Sequence, residues 1–501
     1  MTSPPRNSAP SPEAGVQRRA SIVMAQGDGY RSCDATAVEI NLIPLETNPE
    51  GVLEATMSGP KSGSRPTWLG SDRPLARTIG RPVMRFLGIE AAGGILLMVA
   101  TVAALFWANS PWSGSYHDFW HTEVHLGIGD LRLEHHGHPL TLVQLVNDAL
   151  MAIFFFVVGL EIKRELVTGH LRDRRAALLP AAGALGGMVV PALIYFAFNS
   201  SGDASAGWGI PMATDIAFAV GVLSLLGNRI STPLKVFLLS LAIVDDIGAI
   251  LVIAVFYTSD LAGEWLVLAV AATVAVVLLT RFKVWYTPLY IVLGSVLWYA
   301  MFRSGVHATI AGVIMGLLAP AGVLLQPGEV APIDVGSLNA DGLREAKFRM
   351  NESVSVASRL EHQLHPITGF IIIPVFALAN AGIEISGDSL RDALGSGVTI
   401  GVAIGLVVGK AVGVSLFTMG AVRLGISALP SGATIRHIVG ISTIAGIGFT
   451  VSLFVTGLAF DDLAIQDEAK VGILLASMVA ALGGVAILLG ARSTDEGATH
   501  G

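Results

Sequence analysis

The chain has 501 residues, of which 52% are hydrophobic and only 14% are charged, against roughly 25% charged residues in ordinary soluble domains. The formal net charge is −7, and Cys33 is the only cysteine, which excludes an intrachain disulfide and a multi-cysteine metal site. Apolar stretches of about twenty residues, long enough to cross a bilayer, recur along the chain. The sequence therefore predicts an all-α polytopic membrane protein.

The N-terminal region has a different composition. Residues 1–80 are rich in Pro, Ser and Ala, as in MTSPPRNSAPSPEAG, and contain no apolar core of a signal peptide. Such a segment buries too little apolar surface to offset its ordering entropy. We predict a disordered cytoplasmic tail at 1–80, a transmembrane domain at 81–495 and a short cytoplasmic tail at 496–501.

About twelve transmembrane helices follow the tail. Between the first two, HTEVHLGIGDLRLEHH alternates polar and apolar residues, which predicts a small β-hairpin in the first outer loop. The predicted spans lie near 84–107, 140–163, 177–198, 207–226, 233–257, 262–280, 284–302, 305–325, 357–385, 395–421, 434–459 and 468–491.

The distribution of basic residues predicts the orientation. With a cytoplasmic N-terminus, the inner flanks and loops hold twenty Lys and Arg residues, and the outer loops hold four. Because Lys and Arg accumulate on the cytoplasmic side, both termini are predicted to be cytoplasmic.

Ionisable residues inside the spans mark the candidate site. SLAIVDDIGAILVIAV places Asp245 and Asp246 side by side in the fifth span. A carboxylate at the centre of a bilayer is costly, and a second one beside it disfavours ionisation of both. Lys410, in GLVVGKAVGVS, lies deep in the tenth span, and an aspartate is its expected partner, in a structural ion pair or a functional one.

Two spans carry residues that interrupt helices. GWGIPMATDIAFAVG, in span 4, contains Pro211, Thr214 and Asp215, and IVGISTIAGIGFTVSLF, in span 11, contains three glycines. Breaks at matching places in two halves indicate a substrate site between discontinuous helices. Counting from a cytoplasmic N-terminus, spans 3–5 and 10–12 start on opposite sides, which predicts inverted repeats.

Span 2 contains three carboxylates. Asp148 lies deep in it, and Glu161 and Glu165 share a helical face near its cytoplasmic end. Lys163 and Arg164 lie beside them, so this end is either a charged helix terminus at the interface or a vestibule that attracts cations.

Seven motifs together resemble the NhaA family of sodium/proton antiporters, for which inverted repeats and discontinuous helices are known. They are NDALMAIFFFVVGLEIKREL, PMATDIAF, SLAIVDDIGAI, RSGVHATIAGV, LEHQLHP, GKAVG and AGIGFTVSLF, and the likeness covers about 82–491. The resemblance implies that Asp246 is the main cation ligand and that Asp245 pairs with Lys410. It places Thr214 and Asp215 at the crossing of the broken helices.

The same resemblance assigns further roles. It links Glu161, Glu165, Glu361 and His307 to the pH response and Asp148 to structure, and it implies homodimers formed through the hairpin. The N-terminal tail and the long inner loop near 326–356 depart from the family pattern.

The expected activity is secondary transport rather than an enzyme reaction. A hard cation such as Na⁺ or Li⁺ suits the oxygens of Asp245, Asp246 and Thr214, and protons replace it when it leaves. No Walker-type loop, cofactor or nucleic-acid partner is indicated. We expect an electrogenic Na⁺/H⁺ antiporter of the cell membrane with two H⁺ per Na⁺; the alternative is a Na⁺-coupled symporter of an organic anion.

Overall fold

A computed structural model describes residues 92–491, apart from 126, 129–130, 136–137, 259–260, 285, 323–353 and 385. The predicted tails at 1–80 and 496–501 lie outside the described residues, as does nearly all of the inner loop near 326–356.

Helices account for most of the described chain. A 3₁₀ segment, Asp203–Met212, precedes the helix Ile216–Leu225. One π-helical turn occurs in each of three long helices, Leu142–Val167, Val356–Asn380 and Gly397–Arg423. The α-helices are α1 (Ala92–Ala108), α2 (Ser113–Trp120), α3 (Leu142–Val167), α4 (Arg174–Phe198), α5 (Ile216–Leu225), α6 (Thr232–Phe256), α7 (Gly263–Arg281), α8 (Thr287–Ser304), α9 (Thr309–Leu318), α10 (Val356–Asn380), α11 (Gly387–Gly395), α12 (Gly397–Arg423), α13 (Ile435–Ile444), α14 (Phe449–Ala459) and α15 (Leu463–Leu489).

Each predicted span overlaps one of these helices or a bent pair of them. Seven described helices are long and apolar enough to cross a membrane: α3, α4, α6, α7, α10, α12 and α15. Three bent pairs raise the number to ten if each pair is one span: α1 with α2 (114°), the 3₁₀ segment with α5 (43°), and α13 with α14 (48°). The protein is therefore a largely helical multi-pass membrane protein.

Short strands fill the loop between α2 and α3. Gly127–Ile128 (β2) and Leu131–Arg132 (β3) form a two-stranded antiparallel sheet. Glu123–Val124 (β1), Glu134–His135 (β4) and His138–Thr141 (β5) form a second antiparallel sheet in the order β1-β5-β4. The prediction of β-structure in this loop is confirmed, although the loop contains more strands than one hairpin.

Small residues bring helices into backbone contact. A Cβ atom added to Gly186 in α4 would lie 2.2 Å from the carbonyl oxygen of Gly413 in α12. In the same way, a Cβ on Gly312 in α9 would lie 2.0 Å from Ala152 O in α3. Because membrane helices associate mainly through close packing, these glycines fix which helices are neighbours.

Helix α6 lies deepest among the seven apolar helices. Of its most apolar window, 61% is buried inside the protein, against 17% for α7. It packs against α4, α5, the 3₁₀ segment and α13. This position surrounds the two aspartates of α6 with protein, where a charged group can find partners.

Candidate cation site

Two of the three bent pairs, the 3₁₀ segment with α5 and α13 with α14, contact each other at their breaks. The backbone N–H of Asp215, between the 3₁₀ segment and α5, donates to Ile447 O, between α13 and α14, at 2.7 Å. Ser452 Oγ donates to Ile210 O at 2.8 Å. Backbone groups that an unbroken helix would use internally are thus paired across the crossing.

Asp215 caps two helices at once. Its Oδ1 accepts from Phe218 N in α5 at 2.9 Å, and its Oδ2 accepts from Thr450 N at 3.0 Å and Thr450 Oγ1 at 2.6 Å in α14. Both helix N-termini carry partial positive charge, which a carboxylate offsets. The buried Asp215 therefore holds the ends of α5 and α14 together.

Replacing Asp215 with Ala should destabilise the protein, because the N–H groups of Phe218 and Thr450 lose their acceptor. Loss of the two caps should cost about 2 kcal/mol. Melting in detergent tests this, with Asp462→Ala as the control, since Asp462 caps α15 alone through Ala464 N at 2.8 Å. We expect a clearly lower melting temperature for D215A than for D462A; equal melting temperatures would show that the double cap contributes no more than the single cap of α15.

Lys410 forms an ion pair with Asp245 in the protein interior. Lys410 Nζ contacts Asp245 Oδ2, and both side chains are 0% exposed. Lys410 Nζ also donates to Thr214 Oγ1 at 2.9 Å. The Thr214 hydroxyl lies 2.7 Å from Asp245 Oδ2 and 2.9 Å from Ala445 O, the carbonyl that follows α13, and its single hydrogen can go to either acceptor. The expectation that an aspartate pairs with Lys410 is confirmed.

A π-helical turn immediately precedes this lysine. Gly405–Gly409 forms the turn, and α12 resumes at Lys410. A Cβ on Gly409 would lie 2.9 Å from the Cα of Pro191 in α4, so glycine permits close approach there. Such turns are frequent at functional sites, and this one rotates the residues that follow it relative to the first half of α12.

Asp246 has unused hydrogen-bonding capacity in the protein interior. It is 5% exposed, and its Oδ1 and the Oδ1 of Asp245 are buried without a hydrogen-bond partner among the described residues. Asp245, Glu161, Lys410 and Asp215 act on it electrostatically. Unpaired buried carboxylate oxygens are costly, so a cation or a proton is needed here.

The inner end of α3 forms a second group of charges. Arg164 Nη1 lies 2.5 Å from Glu361 Oε1 in α10, while Glu165 Oε1 accepts from His170 N at 2.7 Å. Glu361 and Glu165 act electrostatically on Glu161. Arg164 is therefore more than a charged residue at a helix terminus, because its ion pair with Glu361 joins α3 to α10 near the predicted vestibule.

Two other predicted residues make their described contacts elsewhere. His307 Nε2 lies 2.5 Å from Tyr257 O, beyond the end of α6. Asp148 lies in the π-helical turn of α3, and its carbonyl oxygen accepts from Trp298 Nε1 at 2.9 Å. In the described part of the chain, no group of three or more His, Cys, Asp or Glu side chains is placed to hold a metal ion.

Sequence reasoning missed two partners in the site. Ala445 contributes only its backbone carbonyl. The residue type at a position does not indicate whether a helix break leaves its carbonyl free. The bond from Thr450 to Asp215 was also missed, although a hydroxyl residue in the glycine-rich break of span 11 was the available signal.

The fold and the site define a class of protein: a multi-pass membrane protein with buried charges where two bent helix pairs meet, as in secondary transporters. The family model "Na+/H+ antiporter 1" matches residues 84–488, and the chain belongs to this family.

Several relatives cover most of the chain. It is 51% identical to Na(+)/H(+) antiporter NhaA 3 of Frankia alni over 81% of this chain and 88% of that one. It is 46% identical to Na(+)/H(+) antiporter NhaA of Rhodopirellula baltica over 83% and 95%. Na(+)/H(+) antiporter NhaA 2 of Myxococcus xanthus is also 46% identical, over 84% and 94%. The resemblance to NhaA proteins is confirmed.

Proposed function

We propose that the protein exchanges Na⁺, and also Li⁺, for protons at Asp245 and Asp246. The observation that carries this proposal is the pair of adjacent buried carboxylates, each with one oxygen that lacks a hydrogen-bond partner among the described residues. Neighbouring carboxylates in a low dielectric do not comfortably stay ionised together, so the empty site takes up protons. Na⁺ and H⁺ then compete for the same oxygens.

The ligands proposed for the cation are oxygens, which hard monovalent cations prefer. Asp246 supplies the main carboxylate, and Asp245 and Thr214 Oγ1 supply the others; the Ala445 carbonyl lies beside Thr214. Lys410 neutralises Asp245 when the cation is absent, and a proton on Lys410 can leave when Na⁺ binds. Asp215 remains a charge-compensating cap for α5 and α14.

The proposed topology has twelve spans and two discontinuous helices. In support, α4 is followed by the bent pair of the 3₁₀ segment with α5 and then by α6. In the same order, α12 is followed by the bent pair of α13 with α14 and then by α15. With both termini in the cytoplasm, these two triplets run in opposite directions and form inverted repeats. We also propose that the protein lies in the cell membrane and that residues 1–80 form a cytoplasmic tail.

Peripheral roles follow from the charged groups around the site. Glu161, Glu165 and Glu361 are proposed to attract cations and respond to pH at the inner end of α3, where Arg164 joins Glu361. His307 is proposed to respond to pH at the outer side. The strands of the first outer loop are proposed to join two copies in a homodimer.

We expect the exchange to be electrogenic. If two H⁺ enter for each Na⁺ that leaves, one net charge crosses, and the membrane potential contributes about 2.3 kcal/mol per 100 mV. Such a potential sustains a Na⁺ gradient of about forty-fold without a pH difference. In proteoliposomes clamped with K⁺ and valinomycin, an inside-positive potential should drive Na⁺ uptake. Uptake that does not depend on voltage would exclude the two-proton scheme.

A vesicle assay tests the proposed function. In everted membrane vesicles from cells lacking their own sodium/proton exchangers, Na⁺ should collapse a preformed pH gradient and restore the fluorescence of a pH-sensitive dye. A Na⁺-coupled symporter of an organic anion moves no protons and would leave the gradient intact, and a proton channel would collapse the gradient without Na⁺. Family membership favours exchange over symport. No Na⁺-dependent change in a correctly inserted protein would refute the proposal.

A further inference from the structure

The 3₁₀ segment that precedes the first break is unusually long. Asp203–Met212 spans 10 residues, whereas 3₁₀ runs longer than three or four residues are uncommon because their hydrogen-bond geometry is poor. The segment includes Gly207, Trp208 and Gly209, and none of these three residues has a role in the ion binding proposed above. Its backbone therefore needs stabilisation from outside the segment.

Two tyrosine hydroxyls from different helices provide that stabilisation. Tyr195, in α4, donates to Ala204 O at 2.7 Å. Tyr257, at the end of α6, donates to Ala206 O at 2.7 Å and accepts from Gly209 N at 3.2 Å. Together they satisfy three backbone groups within six residues.

Packing fixes both tyrosines. Tyr195 is 0% exposed, and a Cβ on Gly207 would lie 2.4 Å from its hydroxyl oxygen, so glycine leaves the space that this side chain occupies. The Tyr257 ring stacks on Trp208 with ring centroids 6.5 Å apart. Its carbonyl oxygen contacts His307 Nε2, which connects the end of α6 to the residues before α9.

The same segment leads directly to the proposed cation ligand. It ends at Met212, two residues before Thr214, whose hydroxyl contacts Asp245 in α6. Tyr257 follows the last residue of α6, so one helix contacts the broken chain at two points: Asp245 on Thr214 and Tyr257 on the 3₁₀ segment. A shift of the segment relative to α6 would change the distance between Thr214 Oγ1 and the carboxylates.

We propose that Tyr257, assisted by Tyr195, is a positioning residue for cation binding: its hydroxyl holds the 3₁₀ segment so that Thr214 Oγ1 lies against Asp245. This inference rests on the proposed function and adds residues that determine affinity for Na⁺. Neither tyrosine ligates the ion. Both act through the backbone that carries Thr214.

The test is Tyr257→Phe, which removes the hydroxyl and keeps the ring on Trp208. The apparent KM for Na⁺ and the Na⁺ Kd from isothermal titration should rise about three- to tenfold, the range that corresponds to a neutral hydrogen bond. The maximal exchange rate should change less than twofold. Tyr195→Phe should have a smaller effect, since Ala204 is farther from Thr214 along the chain.

Tyr290→Phe is the matched control. Tyr290 lies in α8 and donates one hydrogen bond, to Val284 O at 2.9 Å, so the variant loses a hydroxyl contact away from the site. It should leave the KM for Na⁺ unchanged.

A double-mutant cycle adds Tyr257→Phe to Thr214→Ala. If Tyr257 acts through Thr214, the double variant should bind Na⁺ no more weakly than T214A alone.

Two results would overturn the inference. An unchanged KM in Y257F, whether or not the maximal rate falls, would make the tyrosine a purely structural contact, and additive effects in the cycle would separate it from Thr214. Failure of the proposed function is distinguishable, because it would appear as absent Na⁺-dependent proton movement in the unaltered chain.

Discussion

Asp246→Asn is expected to abolish Na⁺-dependent exchange and Na⁺ binding while the protein still inserts and folds. The substitution preserves the size of the side chain and removes the charge of the buried carboxylate whose Oδ1 has no partner among the described residues. An amide oxygen is a weaker ligand for a cation, and the amide cannot exchange a proton in the range where carboxylates do. Both halves of the proposed competition are therefore lost.

The measurements are isothermal titration of the purified variant with Na⁺ and the vesicle assay described above. Asp461→Asn is the matched control, because Asp461 is an exposed aspartate between α14 and α15 and should bind and exchange normally when replaced. Undiminished Na⁺ binding by D246N would sink the assignment of Asp246 as the main ligand.

Lys410→Ala is expected to destabilise the protein as well as stop exchange. Lys410 and Asp245 are both 0% exposed, and removing one partner of a buried pair leaves the other charge uncompensated, at about 3–5 kcal/mol in soluble proteins. Thr214 Oγ1 would also lose a donor. The melting temperature in detergent should fall well below that of the unaltered chain.

The loss of stability in K410A should increase with pH. In the variant, Asp245 can avoid a buried charge by taking up a proton, and each pH unit makes that uptake about 1.4 kcal/mol less favourable. The deficit in melting temperature is therefore smaller at pH 6 and larger at pH 8.5. Lys470→Ala is the control, since Lys470 pairs with the half-exposed Asp467 at 2.9 Å and should contribute little. An unchanged melting temperature for K410A at pH 8.5 would contradict the role of this ion pair.

Much of the helical pattern could be predicted because apolar length is a strong signal in membrane proteins. The predicted span at 233–257 coincides with α6, and that at 177–198 lies within α4. The helix-interrupting residues likewise indicated where spans 4 and 11 bend. The 3₁₀ geometry of Asp203–Met212 was not predictable, because its backbone bonds to the hydroxyl groups of Tyr195 and Tyr257, which are distant in sequence from one another.

The charges of the site were predictable, but most of their partners were not. An unpaired charge inside an apolar span has a high free-energy cost, so the pairing of Lys410 with an aspartate could be predicted from that cost alone. Which oxygen faces which nitrogen depends on helix rotation, and the π-helical turn before Lys410 changes that rotation without a distinctive sequence. The link between Arg164 and Glu361 was hidden for a similar reason, since its two residues belong to helices far apart in sequence.

Proton release on Na⁺ binding tests the competition between Na⁺ and H⁺ most directly. Purified protein in weakly buffered detergent solution, with a pH-sensitive dye, receives Na⁺ at a series of pH values that includes those at which the empty site still holds protons. The unaltered chain should release protons with a dependence on Na⁺ that matches the binding isotherm, and D246N should release none. Na⁺ binding by the unaltered chain without proton release would show that the ion and the proton do not share Asp245 and Asp246.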